Sequence, residues 1–225
     1  MTTLTRQQST NLRLYYSLLV MLQQQRGGIR HSRSKGEYIY NANGRRVPEA
    51  TIQKRLNTIV EDFQDNANRL GDRLDSGNIN IAQYQERMRR ELKDLYRTQH
   101  IVGRGGVEEM AFRDYGRLGQ SLREQYNYLD RMAISYADGD VSLAQLKMRS
   151  KIYMEGSQKQ FWQGATDAKT AAGFTQEQRL LGSTDHCQPC KDLAALGKQP
   201  IGTIIDPPGG CEGFGRCGCR KVYFK

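Results

Sequence analysis

From Pro48 onward, Ile52, Leu56, Ile59, Phe63, Ala67, Leu70 and Leu74 recur at spacings of three and four. That period lays them along one stripe of an α-helix and is incompatible with a strand, whose faces alternate at every residue. Pro48 suits the opening of such a helix, because its fixed φ is already helical and its missing N–H would have had no partner there. A stripe of this length must be covered by another apolar surface, so the segments that follow are constrained to supply one.

Ser76-Gly77 ends the stripe, and Asn80 with Gln83 offers an N-cap and its return partner for a second helix through Tyr84, Met88, Leu92 and Leu95. The same grammar then returns. Tyr115, Leu118, Leu122, Tyr126, Leu129, Ala133 and Tyr136 form a second long stripe, followed by Asp138-Gly139 and a Ser142/Gln145 capping pair. The two turn segments, 75–83 and 137–145, lie 62 residues apart. The requirements of any helical hairpin would produce similar letters, and two copies do not make a solenoid. Between the hairpins, Gly103-Arg-Gly-Gly106 lacks the preceding strand and third glycine of a phosphate loop and reads as a hinge.

Residues 11–25 carry Leu14, Leu18, Val20, Met21 and Leu22, enough for a short amphipathic helix. The run is too short to span a bilayer and has no small-residue cleavage site, so neither a transmembrane segment, a signal peptide nor a membrane partner is expected. Residues 26–46 mix glycines with Arg26, Arg30, Arg33, Lys35, Arg45 and Arg46 and interpose Tyr38 and Tyr40. They read as a flexible basic loop or short hairpin, either solvated or in contact with phosphates. Residues 156–182, rich in Gly, Ala, Gln and Thr and holding the single tryptophan, Trp162, read as a connecting arm whose last capping signal is Thr175 with Gln178.

The 37% hydrophobic fraction and mean hydropathy of -0.73 are low for a compact globule, yet the apolar residues are periodic, which points to long helices with much exposed surface. Thirty-four Lys and Arg against 24 Asp and Glu leave a charge of +10. That balance suits contact with a polyanion, or simple solubility.

All five cysteines fall between Cys187 and Cys219, in the order Cys187-Gln-Pro-Cys190, a span of 20 residues, Cys211, then Cys217-Gly-Cys219. An odd number without a secretion signal disfavours a disulfide framework and suggests synthesis in a reducing cytoplasm. A Cys-x-x-Cys turn aims two thiolates at one point, and a second cysteine cluster about 20 residues later completes a tetrahedral zinc site. The metal would supply folding energy that a segment so poor in large apolar groups lacks. Five thiols compete for four positions: Cys187, Cys190, Cys211 and Cys217 form the preferred set, and Cys219 either replaces one of them or stands behind it. His186 is a further alternative, limited by its neighbour Cys187. The rival readings are a redox Cys-x-x-Cys, which would want a thioredoxin-like alternation of strands and helices, and buried inert thiols. Asp206-Pro-Pro-Gly-Gly210 makes a turn back towards the first cysteine pair, and residues 221–225 add a terminal strand.

The expected fold is therefore mainly α, with elongated helical hairpins and a small C-terminal β-rich zinc-binding knob. Residues 1–47 form an N-terminal helix and basic loop, 48–182 a helical body with two helix-turn-helix hairpins, and 183–225 the cysteine-rich module. The sequence has no Gly-x-Ser-x-Gly elbow, no Gly-Lys-Ser/Thr phosphate loop and no His-Glu-x-x-His helix, and only His31, His100 and His186 are available for proton transfer. The acidic clusters Glu61, Asp62, Asp65 and Glu108, Glu109 read as solvated helix faces. No enzymatic activity is expected.

The C-terminal string resembles the ending of the phage Mu F-like minor head morphogenesis proteins, on Asp185, Cys187, Cys190, Gly197, Pro207, Pro208, Cys217 and Cys219. The likeness covers about the last 45 residues. The chain departs from that pattern after the Pro-Pro turn, where Gly209-Gly210-Cys211 stands in place of the usual His, so that Cys211 would substitute for it. The resemblance implies a structural protein of the virion, in low copy near portal and capsid, acting in head assembly or DNA packaging and ejection. On that view Tyr15, Tyr16, Tyr126, Tyr128 and Trp162 would partly face other subunits. A zinc-containing module that binds nucleic acid without sequence preference, including packaged DNA, is the alternative, with Arg216, Arg220, Lys221 and Lys225 joining the basic loop.

Overall fold

The computed structural model describes residues 28–182, 185–212 and 218–225. The expected helix at 11–25, Tyr15, Tyr16, Arg26, Arg216 and Cys217 lie outside the described residues. The protein is mainly helical, with two small sheets. A hairpin of β1 (Ile29–Ser32) and β2 (Glu37–Tyr40) leads into α1 (Glu49–Asp75) and α2 (Ile81–Arg104). A single 3-10 turn at Val107–Glu109 precedes α3 (Phe112–Ala137), α4 (Leu143–Glu155) and α5 (Gln158–Ala171). The C-terminal module consists of β3 (Gln176–Leu180), α6 (Gln188–Ala195), β4 (Gln199–Pro200) and β5 (Arg220–Phe224).

The stripes do what their spacing requires. Val60, Phe63, Ala67 and Leu70 of α1 meet Tyr84, Met88, Leu92 and Leu95 of α2, and Leu118, Leu122, Leu129 and Met132 of α3 close over them with Leu146 and Met154 of α4. Asn80 and Ser142 both form complete capping boxes, with Gln83 and Gln145 as their partners. At the far end of α1 a second cluster joins Val47, Ile52, Leu56 and Val102 to Phe161 and Trp162. The β1–β2 hairpin covers that end, and the Tyr38 hydroxyl donates to the Val102 carbonyl at 2.9 Å.

Four expectations need correcting. Gly103-Arg104 is no hinge: both residues belong to α2, which ends only at Gly105, in the left-handed region at φ 96°. Gly103 is there because α5 crosses at backbone contact, and a Cβ on it would sit 2.1 Å from the Phe161 carbonyl oxygen. The arm at 156–182 is itself structured, as α5 and then β3. Thr175 caps no helix; its N–H donates to the Phe224 carbonyl, and the chain continues as a strand. Trp162 is only 4% exposed and fills this chain's own core, whereas Tyr128 is 49% exposed.

Candidate metal centre

The C-terminal module is built on β3, which lies between β4 and β5 with both pairings antiparallel. Its sheet thus begins before residue 183. The inward residues of β3 and β5 are charged. Glu177 and Arg179 are fully buried and Lys221 is 1% exposed. The Lys221 ammonium pairs with Glu177 at 2.6 Å and Asp206 at 2.9 Å and donates to the Ile204 carbonyl, while Glu177 accepts the Ile204 N–H at 2.7 Å. Lys221 is therefore committed inside the module and does not present its charge to phosphates. Apolar burial here is thin, with Ile204, Cys190 and Cys219 as the module's buried hydrophobics among the described residues.

The cysteines converge on this polar interior. Cys187 is the N-cap of α6, and Pro189 sits in the first turn, where a missing N–H costs nothing. The Cys190 N–H donates back to the Cys187 carbonyl, which folds the Cys-x-x-Cys segment into a knuckle. The 206–210 turn is closed by Gly209 N–H to Asp206 O at 2.7 Å, and Cys211 N–H to Pro208 O at 3.0 Å carries Cys211 back to the knuckle. Cys219 arrives at the head of β5, where the backbone of Gly218 passes so close to Gly182 that a Cβ on the latter would lie 2.2 Å from the Gly218 carbonyl oxygen.

The result is two three-donor groups that share the buried Cys190: Cys187, Cys190 and Cys211 in one, His186, Cys190 and Cys219 in the other, each with all donor atoms within 4.8 Å of one another. These groups are close enough to hold a metal ion. Cys187 Sγ and Cys211 Sγ are 3.8 Å apart. That equals the sulfur–sulfur edge of a tetrahedron with metal–sulfur bonds of about 2.3 Å, roughly 3.8 Å. His186 Nδ1 lies 3.5 Å from Cys219 Sγ. The backbone N–H groups of Glu212 and Cys190 beside Cys187 lower its thiol to about 7, which favours the thiolate a metal requires.

Arg179 closes the site from behind. Its guanidinium donates to the carbonyls of Ile205 at 3.2 Å and Gly209 at 2.9 Å, and to Cys190 Sγ at 3.5 Å. One buried cation thus holds the turn that delivers Cys211 and would offset the charge that the shared sulfur carries as a metal-bound thiolate. Of the expected ligands, the structure gathers Cys187, Cys190, Cys211 and Cys219, all as thiols. It also brings in His186, whose approach to Cys219 no spacing rule announced. Arg179 carried no sequence signal either, because a lone Arg in a polar stretch reads as surface.

A third group, His100, Asp114 and Asp167, has metal-ligand distances but the wrong company. Asp114 pairs with Arg104 at 3.2 Å and Arg117 at 2.7 Å and accepts the Ala111 N–H at 2.7 Å; Asp167 pairs with Arg117 and Arg113. Three guanidiniums already neutralise two carboxylates, so this is an ion-pair network that ties α2, α3 and α5 together. Burial lowers the His100 pKa despite the attraction of Asp114, keeping the imidazole neutral.

The basic residues of the hairpin divide. Arg33 pairs with Glu109, and Arg46 with Glu37 at 3.2 Å and Glu49 at 3.8 Å, so both fasten the hairpin to the body. Arg30, Lys35 and Arg45 are exposed. No helix among the described residues is long and apolar enough to cross a membrane. No protein-family model, curated protein or solved structure matches this chain.

Proposed function

We propose that the chain is a structural, non-enzymatic component of a tailed-phage head, in which one zinc ion fastens the C-terminal module and the helical body docks against portal or capsid subunits. The observation that carries the zinc part is the convergence of four further donors on Cys190 within a module that has little apolar core of its own. In such a module, metal-binding free energy is folding free energy. Zinc suits the donors because it accepts sulfur and nitrogen in tetrahedral geometry and brings no redox chemistry.

The docking part rests on the resemblance of the C-terminal string and on apolar side chains that the fold leaves uncovered. Phe112 is 94% exposed and Ile134 56%, both on α3, and Met148 on α4 is 55% exposed. Large exposed apolar groups on long helices suit burial against partner subunits. Co-expression with portal and capsid proteins tests this: association that persists at high salt and is lost in Phe112→Ser supports the reading, and absence of association overturns it.

The second reading, non-specific nucleic-acid binding, is favoured by the charge of +10 together with exposed Arg30, Lys35, Arg45, Arg220 and Lys225. It predicts affinity for duplex of any sequence that falls steeply with salt. Arg30→Ala with Arg45→Ala would then weaken binding and flatten the salt slope.

A further inference from the structure

We propose that His186 is a ligand of the metal through Nδ1, beside Cys190 and Cys219. This inference rests on the zinc reading and selects among its donors.

The first argument is the tautomer. His186 Nε2 lies 3.2 Å from the Gly182 carbonyl oxygen. A carbonyl only accepts, so Nε2 carries the proton and Nδ1 presents its lone pair. That lone pair faces Cys219 Sγ at 3.5 Å. A ligating histidine characteristically donates its other ring N–H to a carboxylate, carbonyl or water, which fixes the ring and raises its basicity. The Gly182 carbonyl already occupies that role. With metal–nitrogen bonds of about 2.0–2.1 Å and metal–sulfur bonds of about 2.3 Å, the nitrogen–sulfur edge of a tetrahedron is roughly 3.5 Å, so His186 and Cys219 stand at ligand spacing as well as Cys187 and Cys211 do.

The second argument is the grouping: the donor atoms of His186, Cys190 and Cys219 all lie within 4.8 Å of one another, and Cys190 and Cys219 are both buried.

The third argument is charge. Three thiolates and a neutral imidazole around a divalent ion leave one negative charge, which the Arg179 guanidinium on Cys190 cancels. Four thiolates would leave two negative charges against the Arg179 guanidinium, and uncompensated buried charge is costly. The same guanidinium disfavours a second dication bridging at Cys190.

X-ray absorption at the zinc edge of the 225-residue chain separates the possibilities. The expected first shell is one nitrogen at about 2.0–2.1 Å and three sulfurs at about 2.3 Å. His186→Ala should lose the nitrogen, and Cys219→Ser should lose one sulfur or the zinc itself. Four sulfurs in the wild type, an unchanged shell in His186→Ala, or two zinc ions per chain would overturn the assignment while leaving a metal site in place. A wild-type protein that takes up no zinc would remove the metal reading itself.

Discussion

Arg179 reaches Cys190 from inside the sheet, with Nη2 3.5 Å from the sulfur, while its other terminal nitrogen donates to the carbonyls of Ile205 and Gly209. The same guanidinium therefore supports both the shared sulfur and the turn leading to Cys211. Partners just behind a metal's ligands typically account for about 10–100-fold in affinity. Arg179→Met is expected to weaken zinc binding by that factor in competition with a chromophoric chelator, and Arg179→Lys to recover only part of it, since an ammonium lacks the fork that spans three acceptors.

Gly103 and Gly164 set the closeness of α2 and α5. A Cβ on Gly164 would lie 2.5 Å from the His100 carbonyl oxygen, as one on Gly103 would lie 2.1 Å from that of Phe161. Neither obstacle is the flexible end of a side chain. Gly103→Ala should cost about 3 kcal/mol or more by overpacking, a fall in Tm on the order of 10 °C for a chain of this size. Gly116→Ala, with nothing within 4 Å of its Cβ position, is the control and should be neutral or slightly stabilising.

Glu91 is 8% exposed on α2, and its carboxyl is pushed up to about 7 by burial, with the Asn66 amide as a weak opposing donor at 3.4 Å. A raised acid holds its proton in the fold where the unfolded chain has released it, so stability falls as pH rises from the ordinary 4.5 to about 7. Glu91→Gln should stabilise the protein above pH 7, by on the order of 2 kcal/mol, and the advantage should vanish near pH 4.5. Urea unfolding at several pH values measures both.

His100 titrates in the opposite sense. Its pKa is lowered in the fold by burial, so the unfolded chain binds the extra proton below 6.5 and stability is lost as pH falls through that value. Asp114 does not contribute in this window, because its depressed carboxyl releases its proton below 3.8. In a Glu91→Gln background, adding His100→Gln should flatten the pH dependence of unfolding between pH 7.5 and 5.5; an unchanged slope would assign that dependence elsewhere.

The helices were legible because their signal is redundant: seven apolar positions on α1, capping pairs at Asn80 and Ser142, and glycines at the turns all agree. Strand β3 was not, because its inward residues are Glu177 and Arg179. Period-two alternation is visible only when one face is apolar, and here an ion pair with Lys221 and the Arg179 contacts replace it. Helix α5 was hidden for a related reason: Gly164 packs by backbone contact, and a glycine contributes nothing to an apolar stripe. In the candidate site, the spacing of the cysteines predicted their convergence. The approach of His186 to Cys219 depends on the Gly182–Gly218 contact, which joins residues far apart in the chain.

Metal analysis of the purified chain by mass spectrometry, with thiol counting before and after chelation, tests the central claim most directly. One zinc per chain is predicted, with the buried Cys190 and Cys219 reacting only after the metal is removed. Metal-free protein whose buried thiols react at the same rate with and without chelator would contradict it.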